Sequence, residues 1–164
     1  MNTPGKRTDP KTELFRHTLA TLAYRAGNAL RNAPPTFAEF HGAEGLRTPV
    51  QIVAHMGDLF DWALSIAKGK QAWHDSKPLP WAEEVERFFA ALKSFDDFLA
   101  SGSPVEARLE KLFQGPVADA LTHVGQLAIL RRMAGAPVKG ENYYKAEIAV
   151  GRLGEDQAQP KLEF

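Results

Sequence analysis

The chain contains no cysteine. Disulfide frameworks, zinc–thiolate sites and cysteine nucleophiles are therefore excluded, and a metal site would have to use His, Asp, Glu, backbone or water ligands. The chain also lacks an excess of charge of either sign, since Lys plus Arg and Asp plus Glu each number 20. A nucleic-acid-binding protein usually carries a basic surplus, because phosphate contacts supply most of its affinity. We therefore expect no nucleic-acid partner.

Long apolar runs are missing too. No stretch approaches the roughly 18 apolar residues that indicate a membrane span, so we expect no membrane partner. The first residues, MNTPGKRTDPKTE, hold no apolar segment of the kind found in secretory signals, and we expect a cytoplasmic protein. The 164 residues are 44% apolar and 24% charged, which is ordinary for one globular domain with a real core.

Four segments repeat apolar residues at spacings of three and four, which predicts four amphipathic helices. The first runs from Thr12 to the prolines of NAPP, because proline cannot continue a helix. The second begins at Thr48 and Pro49, a capping residue followed by a favoured first position, and Gly69 is expected to end it.

The third helix is predicted from Trp81 to Ala100, where SGSP breaks the pattern. A short helical turn is expected around Val105–Leu112. The fourth long helix has Pro116 near its start and Gly135 near its end.

Four amphipathic helices of matched length with modest connections predict an all-α, antiparallel four-helix bundle. We predict a flexible N-terminal tail at residues 1–11 and a single domain over residues 12–164. The segment from Ala136 onward is rich in apolar and aromatic residues, so we expect it to pack over one end of the bundle.

Asp119 and His123 border the apolar stripe of the fourth helix, in DALTHVGQLAILRR. Four residues return an α-helix to nearly the same face with a rise of about 6 Å, so both side chains can reach a common point. Two ligands at this spacing are a recurring way to hold a metal. Alone, the pair is weak evidence for a metal site, and a helix-stabilising Asp with a surface His is the simpler interpretation.

His55 adds a third candidate, because it lies on the apolar face of the second helix. An isolated His there is usually neutral and bonded to a backbone carbonyl or a hydroxyl. Three inward-facing polar groups on two helices instead favour one shared cation, since an unpaired buried polar group costs about 1–3 kcal/mol. The remaining histidines are expected at the surface: His17, His41 and His74.

Other polar residues allow more than one interpretation. Asp58 approaches the same site from one turn away, is solvated, or accepts from a ligand imidazole. Glu141, Tyr143 and Tyr144, in GENYY, either contact substrate beside the metal or only pack and cap. Arg131 either attracts an anionic substrate group or complements the helix dipole.

Two segments carry a family resemblance: IVAHMGDLFDWA and ALTHVGQLAILRRMAGAPVKGENYY. They resemble the DinB-like (DinB/YfiT-like) superfamily of metal-binding four-helix bundles. The resemblance implies a site in which three histidines usually hold a divalent metal, often zinc or nickel. By position these fall on His55, Asp119 and His123. Asp119 stands where the family commonly has His, and a His–Asp–His set suits zinc, nickel or iron.

The resemblance also implies an activity, because characterised relatives include thiol-dependent transferases and isomerases, and others are described as hydrolases. We therefore expect a metal-dependent enzyme of the thiol transferase or hydrolase type, with no catalytic residue assigned. Its substrate would be a small molecule, such as a low-molecular-weight thiol, and a homodimer is expected by analogy. The alternative is a non-catalytic helical dimer or small-molecule binder with a vestigial metal site.

Overall fold

Helices dominate the chain, as predicted. The structure, a computed structural model, describes residues 9–164. Within that range the helices are α1 (Pro10–Leu30), α2 (Pro49–Ala67), α3 (Trp81–Ala100), the single-turn α4 (Leu109–Leu112) and α5 (Ala118–Met133). The same range holds no strand, and its β pairing is limited to an isolated bridge between Glu141 and Glu163.

α1 begins earlier than predicted. Asp9 is its N-cap, since the Asp9 carboxylate accepts from the Thr12 N–H at 3.2 Å, and Pro10 opens the first turn. The predicted flexible tail is therefore wrong for Pro10 and Lys11, which are helical. Residues 1–8 of that predicted tail lie outside the described residues.

The starts of α2 and α3 confirm the local signals in the sequence. Thr48 is the N-cap of α2, Pro49 is its first residue, and the Thr48 N–H donates to Gln51 Oε1 at 2.9 Å. α3 begins at Trp81 and ends at Ala100, the predicted bounds.

A π-helical turn, Phe113–Val117, joins α4 to α5 and contains Pro116. Proline has no N–H to donate, so the regular hydrogen-bond ladder cannot pass through it. The wider turn absorbs this interruption without ending the helical path. Because α5 starts directly after it, the π turn sets the position of Asp119.

α2 contacts α3 and α5, and α1 contacts the same two helices, so the four long helices surround a shared core. The core centres on large side chains that are fully or almost fully buried. Each contributes roughly 1.5–3 kcal/mol through burial of apolar surface. They include Leu19, Phe60, Phe88, Phe95 and Leu127.

The C-terminal segment packs along α1, and its contacts are not confined to one end of the bundle. Leu153 joins the hydrophobic core, and Gln157 packs against Gly27. Glu141 is buried and accepts from the Tyr24 hydroxyl at 2.5 Å. Burial, and to a smaller extent the hydrogen bond to Glu141, raises the pKa of Tyr24, so its hydroxyl stays protonated and can donate.

Tyr24→Phe is expected to destabilise the fold by about 1–3 kcal/mol, because it leaves the buried Glu141 carboxyl without its donor. Urea unfolding followed by circular dichroism measures this change. Tyr144→Phe is the matched control, since Tyr144 is 92% exposed and should change stability by less than about 0.5 kcal/mol. Equal unfolding midpoints for the two variants would contradict the expectation.

Candidate metal centre

His55 from α2 converges with Asp119 and His123 from α5. His55 Nε2 lies 3.3 Å from Asp119 Oδ2, and His123 Nε2 lies 3.5 Å from Asp119 Oδ1. The two imidazole rings are nearly perpendicular, with centroids 5.0 Å apart. One potential ligand atom from each residue lies within 4.8 Å of the other two. The structure therefore brings together the three residues that the sequence marked as candidate ligands.

These separations fit a small divalent ion. A tetrahedral zinc ion with ligands at about 2.0–2.2 Å holds neighbouring ligand atoms roughly 3.3–3.6 Å apart. The distance from His55 Nε2 to Asp119 Oδ2 and the distance from His123 Nε2 to Asp119 Oδ1 each fall in that range, so each imidazole lies where it could share an ion with one oxygen of the carboxylate. Two imidazoles and one carboxylate are a donor set that zinc, nickel and iron accept, and three ligands leave a position for solvent or substrate.

Gln126 orients His123. Its Oε1 lies 2.7 Å from His123 Nδ1, so the amide oxygen accepts from an Nδ1–H. The lone pair of the neutral ring is then on Nε2, the atom that faces Asp119. A partner that fixes the tautomer of a metal-binding histidine prepares the ring for the ion.

Gln126→Ala is therefore expected to weaken zinc binding by about tenfold, because His123 loses the bond that fixes its tautomer. Competition with a chromophoric chelator measures the affinity. Gln71→Ala, at an exposed connector position, is the control and should leave it unchanged. Indistinguishable affinities for these two variants would show that Gln126 does not act on the centre.

His55 is held mostly out of solvent. Burial lowers its pKa, followed by the charge of Arg47, while the bond to Asp119 partly opposes the shift. A lowered pKa favours the neutral imidazole, which is the form that binds metal. The ring of Trp73 packs edge-on against His55 at 5.7 Å and is itself contacted by Trp62. Trp73 lies in the α2–α3 connector, where no periodic pattern indicated its direction.

Asp119 is more open than expected, with 46% of its side chain exposed. It faces a shallow depression that it shares with Leu59, Trp62, Gln114, Gly115, Ala118 and Thr122. His123 instead lines a separate cavity of ≈ 390 Å³. Asp119 and His123 thus line two different openings at the surface.

The other predicted contacts do not reach this centre. Tyr143 packs against Tyr24 and Arg25, and its hydroxyl accepts from Asn28. Tyr144 is exposed. Arg131 is buried and donates to the backbone carbonyls of Ala29, Arg31 and Ala136. Glu141 accepts from the Tyr24 hydroxyl. Glu141 and Tyr143 therefore have the structural role that was the alternative to a substrate contact, whereas Tyr144 has neither a packed nor a capping role and Arg131 bonds backbone carbonyls.

Asp58 belongs to a second group of potential ligands, with Asp61 and His74. Its Oδ1 lies 3.1 Å from His74 Nε2, so Asp58 does pair with an imidazole, but not with one from the candidate centre. The guanidinium of Arg87 lies 3.1 Å from Asp58 and 3.5 Å from Asp61. Because this cation already faces both carboxylates, the group is an ion-pair network that ties the connector to α2 and α3.

His17, His41 and His74 are exposed, as predicted. The network around His74 was not predicted from the sequence. Asp58 and Asp61 on α2 and Arg87 on α3 lie in segments with a helical repeat of apolar residues. His74 lies in the connector between these helices, which has no such repeat. No helix in residues 9–164 combines the length and apolar character that crossing a bilayer requires.

Comparisons with protein-family models, with curated proteins and with solved structures each found no match.

Proposed function

We propose that this protein is a DinB-like, antiparallel four-helix bundle that binds one divalent metal through His55, Asp119 and His123 and uses it in catalysis. Zinc or nickel is the proposed metal, with iron as a further option for this donor set. The proposed reaction is of the thiol transferase or hydrolase type, on a small-molecule substrate. One observation carries the proposal: three potential ligand atoms from two helices lie within 4.8 Å of one another.

The surroundings of the three residues support this proposal. Gln126 fixes the lone pair of His123 on Nε2, and burial keeps His55 in its neutral form. Asp119 supplies the negative charge that partly neutralises a divalent cation. Two histidines with a purely structural role would not need a fixed tautomer, a neutral neighbouring imidazole and a carboxylate at the same point.

A metal at this site would supply Lewis acidity, which lowers the pKa of a water or a thiol and polarises a carbonyl. The protein residues determine what reaches it. The opening beside Asp119 admits solvent, while the cavity beside His123 has room for an organic molecule. A small molecule in that cavity would lie next to the imidazole of His123, and its reacting group would have to extend from there to the open position on the metal.

The proposal is tested by elemental analysis of untagged protein purified without chelator, followed by titration of metal-free protein with zinc and nickel. We expect one equivalent per chain. Turnover is then measured with a panel of thiols and electrophiles and a panel of esters and amides, using loaded and metal-free protein. One bound equivalent without turnover in any panel would support the non-catalytic alternative, and no binding would contradict the metal site itself.

Asp119→His provides a sharper test of the ligand set. The substitution gives the three-histidine arrangement that the family resemblance implies, so zinc binding should be retained or tightened. Asp119→Ala removes the ligand and should weaken zinc by about a hundredfold. If both substitutions leave zinc binding unchanged, Asp119 is not a ligand.

A further inference from the structure

The cavity beside His123 has an unusually apolar wall. Leu46, Ile129 and Met133 line it and are 54%, 60% and 53% exposed. Ile52 and Leu130 complete the wall from below. Single exposed apolar side chains are common on protein surfaces, but a contiguous group around a concavity is typical of a binding site.

The connection between α1 and α2 packs closely against this wall. The backbone at Gly42 approaches it so closely that a Cβ there would lie 2.8 Å from Leu130 Cδ2 and 3.5 Å from Met133 Cε. The glycine therefore lets the α1–α2 connection hold these side chains in place. A preformed apolar surface costs little ordering when a ligand binds.

The cavity lining also carries a cation, because Arg47 lines the same cavity as His123. Within residues 9–164, Arg47 forms no ion pair with a carboxylate. One carboxylate, Asp119, only half-neutralises a divalent ion, so the loaded centre would add further positive charge to this side.

From this combination we propose that the cavity binds a small organic acid. Its carboxylate would face Arg47 and the metal centre, and its apolar body would lie on Leu46, Ile129 and Met133. The volume of ≈ 390 Å³ suits a small molecule. The guanidinium of arginine matches a carboxylate with two parallel hydrogen bonds.

The inference names the substrate class of the proposed function and rests on that function for the metal contact alone. The contacts with Arg47 and with the apolar wall do not need a metal. Metal-free protein should therefore bind the acid as well, only more weakly. This difference allows the two proposals to be tested separately.

Isothermal titration calorimetry with octanoate, octylammonium and acetate, on metal-free and zinc-loaded protein, tests the assignment. Octanoate should bind at least tenfold more tightly than either of the other two in both forms, and zinc should tighten it further. From hexanoate to octanoate, affinity should rise about two- to fourfold per methylene, as expected for apolar burial.

Arg47→Gln should weaken octanoate by about tenfold, because the charge-assisted bonds are lost, and should not weaken zinc. Arg108→Gln removes the same charge at an exposed position outside the cavity and should change neither affinity. Met133→Ser should reduce the rise in affinity per methylene from hexanoate to octanoate. Both cavity residues are exposed, so these variants should fold like the wild type.

Several results would overturn the assignment. One is equal binding of octanoate and octylammonium, and another is unchanged octanoate binding in Arg47→Gln. A third is a combination of two results: octanoate fails to bind, and analytical ultracentrifugation shows a dimer that Met133→Glu dissociates. A second copy of the chain would then cover the apolar wall. If the protein takes up no zinc but binds octanoate through Arg47, the organic-acid site is supported and the metal function is rejected. If it binds zinc but not octanoate, the metal site is supported and the organic-acid site is rejected.

Discussion

His55→Ala is expected to lose stoichiometric metal. His55 is the ligand that α2 contributes, and without it the ion would be held from α5 alone by Asp119 and His123. Structural zinc sites with four ligands bind with roughly 10–16 kcal/mol, or about 3 kcal/mol per ligand. Removing one ligand should therefore weaken zinc at least about a hundredfold. Chelator competition gives the affinity, and elemental analysis after dialysis gives the stoichiometry.

His41→Ala is the matched control, because His41 is an exposed histidine in the connection between α1 and α2. It should keep one equivalent of zinc. Unfolding curves recorded with excess chelator separate loss of a ligand from loss of the fold, since His55 also packs against Trp73. If folded His55→Ala retained one equivalent of zinc at wild-type affinity, the proposed centre would be wrong.

The pH dependence of zinc binding offers a second measurement on the same protein. Both imidazoles must be neutral to bind, so acidification should release the ion. Burial lowers the pKa of His55, which extends its neutral range to more acidic solution than an exposed histidine has. Zinc affinity should therefore be nearly constant above neutral pH and fall as the pH drops below the ordinary range of histidine.

The helix starts were predictable because their signals are local. At the first turn of α2, the Thr48 N–H donates to the Gln51 side chain and Pro49 restricts φ, and both signals lie within four consecutive residues. The face shared by Asp119 and His123 follows likewise from helical geometry alone. Their meeting with His55 depends on how α2 and α5 pack, which the sequence indicated through the apolar stripe on each helix and through the family resemblance.

The rest of the site depends on segments without periodicity. Arg47 and Trp73 lie in connections, where the direction of a side chain is set by tertiary contacts rather than by spacing. The direction of the Tyr143 side chain is likewise set by tertiary contacts. Its partners Tyr24 and Asn28 lie on α1, more than a hundred positions away, and no local pattern pairs these segments.

Arg87→Met is expected to produce the largest loss of stability. Arg87 Nε donates to Glu84 at 2.6 Å, and its terminal nitrogens face Asp58 and donate to the Ala54 carbonyl at 2.7 Å. The side chains of Glu84 and Asp58 are only 0% and 3% exposed. Removing one partner of a buried ion pair leaves an uncompensated charge and costs about 3–5 kcal/mol.

For a chain of this length, that loss corresponds to a fall in Tm of roughly 10 °C, at about 2–4 °C per kcal/mol. Differential scanning calorimetry and urea unfolding both measure it. Lys93→Met is the matched control, because Lys93 pairs with Asp97 on the exposed surface of α3 and should contribute less than about 1 kcal/mol. Similar losses for the two variants would show that Arg87 is not the centre of a buried network.

The double variant Arg87→Met with Glu84→Gln identifies the cause of the loss. If uncompensated charge is responsible, neutralising Glu84 should recover about 1–2 kcal/mol relative to Arg87→Met alone. The amide oxygen can still accept from the Leu79 N–H, which now donates to Glu84 at 2.7 Å. If the loss instead arises from the space that the guanidinium fills against Gly57, where a Cβ would lie 2.9 Å from it, Glu84→Gln should recover nothing. The sign of this coupling therefore decides between buried charge and packing as the role of Arg87.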